Sequence, residues 1–93
     1  MSARLSGLTI GALTLSPQFD PDTVTYTANT TNNTNTITAT PEDDDATITI
    51  MNGETPVENG TAATWQEGAN TVTITVKNGT AQKVYTVVVT KTA

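Results

Sequence analysis

The sequence predicts an all-β fold, a Greek-key β-sandwich of about seven antiparallel strands, and three observations predict it. Apolar and polar residues alternate with period two along most of the chain, and helical periodicity is nowhere sustained. Turn signals such as Asn52-Gly53 and Asn78-Gly79 separate the alternating runs at near-regular spacing. Threonine carries much of the polar balance, and its branched side chain suits a pleated surface. The two faces of each run therefore differ in chemistry, as two packed layers require.

The elements follow in order. "RLSGLTI" and "ALTL" form a broken first strand, with Gly7 and Gly11 marking a bulge or a switch between sheets. "LSPQFDPDTVTY" then turns a corner. Pro17 cannot donate a ladder hydrogen bond and ends the preceding strand. Pro21 pushes Asp20 toward extended backbone, so Asp20-Pro21-Asp22 reads as a rigid turn capped by aspartates. Phe19, the one phenylalanine, is expected to plug the end of the sandwich. Tyr26 is expected to pack behind it, with its hydroxyl bonded to backbone.

"VTYTAN" places Val24, Tyr26 and Ala28 on one face, and "NTITAT" places Ile37 beside Ala39. "ATITIM" aligns Ile48 with Ile50 before the Asn52-Gly53 turn, and a short strand is predicted near Ala62 to Trp65. "NTVTITVK" turns Val72, Ile74 and Val76 inward; "KVYTVVVTK" does the same with Tyr85, Val87 and Val89. The predicted core is Leu8, Leu15, Phe19, Tyr26, Ile37, Ile48, Ile50, Trp65, Val72, Ile74, Val76, Tyr85, Val87 and Val89. Residues 1–93 read as one domain with its core over about 5–91, taken from a larger protein.

Composition removes several function classes. With no cysteine and no histidine there is no disulfide, Cys/His zinc site, thiol nucleophile or imidazole base. A net charge of −5 argues against nucleic acid or an anionic membrane as partner. No apolar run approaches the ~20 residues of a membrane span, and "MSARLSG" lacks the apolar stretch of a signal peptide.

The remaining candidates each have an ordinary structural reading. Glu42, Asp43, Asp44 and Asp45 cluster four carboxylates, but adjacent carboxylates on extended chain point alternately, so a solvated loop is expected rather than a calcium site. Asp20 and Asp22 add ligands only if their turn lies at the same end. Ser2, Ser6 and Ser16 read as turn residues. Lys77, Lys83 and Lys91 read as solvent-facing strand ends, guarding the edge of "TVVVT", rather than as partners of an isopeptide bond. The outward threonines lie on sheets that twist, which disfavours a flat ice-matching array. Asn29, Asn32, Asn59 and Asn78 each open an Asn-x-Thr sequon, a chance result in a chain rich in both residues. Trp65 and Tyr26 are expected in the core rather than on a sugar-stacking surface, and Val84 and Val88 outward. No catalytic, cofactor-binding or metal residue is assigned, no cofactor is expected, and the chain is not expected to be an enzyme.

Three stretches carry a family resemblance. "LSGLTI…GALTLSPQFDPDTVTYTA" is similar to the opening of the cadherin-like β-sandwich domains of bacterial multidomain surface and secreted proteins. "WQEGANTVTITVKNGTAQKVYTVVVTK" is similar to that family's close: an apolar residue, a Gly-x-Asn turn, an alternating strand, a Gly hairpin and a strand opening on tyrosine. "ATITIMNGETPV" fits its middle hairpin, and the likeness covers roughly Leu5 to Lys91. The Asn-rich "NTTNNTN" departs from the shorter turn usual there. The resemblance implies an immunoglobulin-like module without catalytic residues, extracellular or on a bacterial surface, that serves as a spacer and supports adhesion. Its partners would be neighbouring domains of the same polypeptide, and in isolation it would be a monomer. The alternatives are a module binding cell-surface carbohydrate, protein or cell-wall polymer, and an Ig-like decoration domain of a phage virion.

Overall fold

The computed structural model describes residues 3–16 and 18–92. The readings of Ser2 and Pro17 lie outside them. Eight strands form among the described residues: β1 (Leu5–Ile10), β2 (Thr25–Thr30), β3 (Thr34–Pro41), β4 (Thr47–Asn52), β5 (Thr55–Val57), β6 (Thr61–Thr64), β7 (Gly68–Asn78) and β8 (Ala81–Lys91). They make a three-stranded sheet ordered β1-β3-β6 and a five-stranded sheet ordered β2-β8-β7-β4-β5. The predicted all-β sandwich is the fold, with β5 as a strand the alternation was too short to reveal.

One pairing departs from the antiparallel expectation: β2 lies parallel to β8, from Thr25 opposite Thr86 to Thr30 opposite Lys91. The cause is the segment after β1. Gly11 takes φ 56 as the chain leaves the first sheet, and Ser16 then bridges Thr27 in antiparallel fashion. That return pass brings β2 in pointing the same way as β1, and hence the same way as β8. Gly7 supplies the expected bulge, where the β1–β3 register shifts between Leu5 and Gly7. Ser6 therefore sits in a strand and Ser16 in a bridge, not in turns as expected.

Both Asn-Gly signals make hairpins, shifted by one residue from the sequence reading. Asn52 pairs with Thr55 and Asn78 with Ala81, so the two-residue loops are Gly53-Glu54 and Gly79-Thr80. Gly53 (φ 62) and Gly79 (φ 64) hold positive φ while no non-glycine residue described does, which is the type II′ turn with glycine first. Each asparagine is thereby released to pair as the last residue of its strand.

The core follows the alternation. Val72, Ile74, Val76, Tyr85, Val87 and Val89 of the two long strands are fully buried against Leu5, Ile10 and Ile37 of the facing sheet. Leu5 and Ile10 were missing from the predicted core because the glycine-broken first strand hides its phase. Phe19 and Ile48, predicted as core, are only partly buried. Phe19 caps the layer from outside it, and Ile48 lies beyond the stretch of β4 that β5 covers, since β5 pairs only Ile50 to Asn52. Val24 has the core phase but is 37% exposed, because it precedes β2 and no layer covers it.

Strand β8 is interior, flanked by β2 and β7, so the lysines do not guard an edge there. The edges are blunted by other means. Pro56 removes a donor from β5, and the Asn52 side chain donates to the Thr64 carbonyl of β6 at 2.8 Å.

The molecule measures 42 × 24 × 17 Å. An 11-residue strand such as β8 spans ~36 Å, so the long axis follows the strands. Residues 3–5, the 20–22 turn, the 41–46 loop and the β7–β8 hairpin gather at one end, here called proximal. Thr92, bonded to Thr30, lies at the other, distal end with Gly68 and the 31–33 turn.

Candidate functional site

The proximal end is where sequence-predicted residues meet. The Asp20-Pro21-Asp22 turn forms as read: Thr23 N–H donates to the Asp20 carbonyl at 2.9 Å and Asp22 N–H to Asp20 Oδ1 at 2.9 Å. The Tyr26 hydroxyl donates to the Asp20 carbonyl at 2.6 Å and accepts its N–H at 3.0 Å, with the Phe19 ring stacked 5.8 Å from the Tyr26 ring. The expected corner is thus present, except that Phe19 is the lid rather than the plug. A second tyrosine completes it. The Tyr85 hydroxyl donates to the Pro21 carbonyl at 2.6 Å and accepts the Leu5 N–H at 3.0 Å. Two tyrosines from neighbouring strands hold the corner at Asp20 and Pro21. Burial pushes the Tyr85 phenol above its ordinary range.

Arg4, the sole arginine, joins the acidic segments. Its Nη1 lies 2.8 Å from Asp22 Oδ1 and its Nη2 2.9 Å from Glu42 Oε2. The hydrogen bond to Asp22 and the charge of Glu42 raise the guanidinium pKa, and the hydrogen bond from Arg4 and its positive charge hold the Asp22 carboxyl below its ordinary range. The 20–22 turn and the 41–46 loop do share one end, but a cation stands between them. Asp43 is committed elsewhere: its Oδ1 accepts the Asp45 N–H at 3.0 Å and its Oδ2 the Asn78 amide at 3.0 Å. Among the described residues no three carboxylates converge as metal ligands would. The run is a set of separate structural contacts on a loop.

Lys83 reaches over the Tyr85 ring at 5.9 Å and approaches Asp22 at 4.0 Å, half-buried rather than free in solvent; Lys77 is exposed and Lys91 half-buried at the distal end. Val84 is 39% exposed as expected, and Val88 is half-buried.

At the distal end the holding groups are neutral amides. Buried Trp65 donates its indole N–H to Asn35 Oδ1 at 2.8 Å and its backbone N–H to the Asn33 carbonyl at 2.8 Å. The "NTTNNTN" stretch is therefore the cradle of the tryptophan. Gly11 is forced by it, since a Cβ there would meet Asn35 Nδ2 at 2.5 Å. Buried Asn70 closes the 66–69 turn, accepting the Gln66 N–H at 2.9 Å and donating to the carbonyls of Gln66, Gly68 and Val89. Asn59 clips the β5–β6 turn to both backbone groups of Ala39. Two of the four sequon asparagines, Asn59 and Asn78, thus have their amides occupied by structure. Arg4 and Asn35 were not singled out from the sequence, whereas Asn70 is the asparagine of the Gly-x-Asn turn. A lone arginine in a chain whose acidic run begins 38 residues away was only a faint signal for the first; amide pairing across the fold left none for Asn35.

One open groove of about 610 Å³ lies between the β4–β5 hairpin, β6 and the 66–71 segment. Asn52, Glu54, Thr55, Glu58, Gln66 and Thr71 are among its lining residues, and no aromatic ring is. It offers hydroxyls, amides and two carboxylates, but no stacking platform for a sugar ring.

No curated protein matches the chain. Residues 6–92 match the family described as the cadherin-like beta sandwich domain. The sandwich, the tyrosine-held corner after its first strand and the Gly68-Ala69-Asn70 turn before its longest hairpin are the features this match spans, and the chain belongs to the cadherin-like beta sandwich domain family.

Proposed function

We propose that this domain is a non-catalytic structural module of a larger extracellular bacterial protein, one that holds neighbouring domains apart and so supports adhesion. The observation that carries the reading is the placement of the chain's two described ends. Ala3–Leu5 and Lys91–Thr92 lie at opposite ends of a body 42 Å long, with the strands along that axis. Domains joined through such ends stack lengthwise and set distance rather than fold back. The membership in a β-sandwich family compatible with structural modules, and polar groups already engaged in bracing loops, support the same reading. The test is small-angle scattering on two copies joined in series, the end of one to the start of the next. The expected result is a rod about twice as long as one copy at unchanged cross-section; a compact particle overturns the proposal.

The second reading, a module that binds carbohydrate or cell-wall polymer, is favoured by one observation only, the groove beside β6. Titration with glycans and cell-wall fragments separates the two. Saturable binding lost on Thr71→Lys, a substitution in the groove wall, supports the second; flat titrations support the first.

A further inference from the structure

We propose that β1 is a shear clamp, anchored at Arg4 and Leu5, that resists tension applied along the chain. The argument starts from direction. Strand β1 begins at the proximal end and β8 finishes at the distal end, so tension between the two ends runs parallel to the strands. Ladder hydrogen bonds lie across the strands. Tension along β1 therefore strains its pairs with β3, from Leu5–Pro41 to Ile10–Ile37, together rather than one after another. Strand β8 is loaded in the same sense but is held on both sides, by β2 over six residues and β7 over eleven. β1 has a ladder neighbour on one side only, which makes it the strand that fails first.

The bonds are concentrated where tension enters. The Arg4 carbonyl accepts the Glu42 N–H at 2.9 Å, extending the β1–β3 ladder past its bulge. The Arg4 guanidinium grips Asp22 and Glu42, on two different loops. The Leu5 N–H is tied to the Tyr85 hydroxyl, which binds the first strand to the facing sheet through β8, the other strand under load. Each of these contacts must slide before β1 moves by one residue. Surface ion pairs add little to equilibrium stability, yet in this position they stand in the path of the load. A strand so placed resists extension more than its share of folding stability alone implies.

The proposal deepens the spacer reading and is measured on the isolated chain, so low resistance to extension overturns the clamp and leaves the spacer reading standing. The experiment is single-molecule pulling on the full chain carrying Asp44→Cys, an exposed position at the proximal end of a protein with no native cysteine. Handles at the two chain ends load β1 in shear; handles at the N-terminus and residue 44 peel it from β3. The expected unfolding force is several-fold higher for the end-to-end pull. Arg4→Ala and Tyr85→Phe are expected to lower the end-to-end force, whereas Asn70→Ala is expected to lower the urea midpoint and leave that force unchanged. Arg4 is at the surface, so its variant folds even if Tyr85→Phe does not. Equal forces in the two geometries, or an end-to-end force that falls as much in Asn70→Ala as in Arg4→Ala, overturn the clamp.

Discussion

The two ends of this sandwich close the same pair of layers with different chemistry. The proximal end carries six of the nine carboxylates, three of the four cations and both tyrosine hydroxyls. Its contacts combine exposed ion pairs of Arg4 with hydroxyls carried on the buried rings of Tyr26 and Tyr85. The distal end relies on neutral amides and one indole: Asn35 accepts the indole N–H of buried Trp65, and buried Asn70 answers backbone groups of Gln66, Gly68 and Val89. Exposed ion pairs are weak and screened by salt, while buried hydrogen bonds are modest when made and expensive when one partner is removed. The comparison teaches where loss of a side chain should cost most: removing a buried amide or indole at the distal end is expected to cost more stability than removing an exposed ion pair at the proximal end.

The sharpest test is at the distal end. Trp65→Ala empties a buried site and leaves Asn35 Oδ1 without its donor, so the domain should lose about 3–5 kcal/mol, a large part of the whole stability of a small domain. Urea denaturation measures it, and a loss below about 1 kcal/mol would break the contrast at once. Asn70→Ala comes next. It strips a buried amide that satisfies one N–H and three carbonyls, and a loss of about 2–3 kcal/mol is expected in the same assay.

A smaller effect is expected from Tyr26→Phe at the proximal corner. The ring stays stacked under Phe19 and only the two bonds to Asp20 go, at about 1 kcal/mol. Proton exchange at the Asp20 amide should rise in that variant more than at the Gln66 amide. Equal acceleration at both ends would show that the ends are not separable.

The smallest effect is electrostatic and has a defined sign. Asp22 titrates below its ordinary value of 3.8 in the folded protein, held there by the hydrogen bond and charge of Arg4. Its contribution is therefore complete above the ordinary aspartate range and is lost as pH falls from that range through the lower folded value. Asp22→Asn should flatten the acid limb of the stability curve, and added salt should do the same to the parent protein. Trp65→Ala should leave the shape of that limb unchanged.

Much of this was legible from local pattern. Alternation identified the inward residues of β7 and β8, and Asp20-Pro21-Asp22 announced a turn, because both depend only on neighbours along the chain. The limits are equally physical. Leu5 and Ile10 were lost because Gly7 and Gly11 interrupt the phase that would mark them. Val24 kept the right phase and was still exposed, because phase says which way a side chain points and nothing about whether another layer covers it. The Asn-rich loop registered only as a departure from the shorter turn of the resemblance, since the indole that gives it a purpose lies 30 residues further on.

The sequence by itself determined that this chain would make strands with one apolar face, that it would turn at Asn52-Gly53 and Asn78-Gly79 to within one residue, and that the segment after the first strand would be stiff. Those outcomes follow from backbone sterics and side-chain period, which act over a few residues. Only the tertiary structure decided that β2 would lie parallel to β8 and that Arg4 would bridge two loops. Each of these joins groups 18 or more residues apart, where the partner is chosen by which layers can close over a common core.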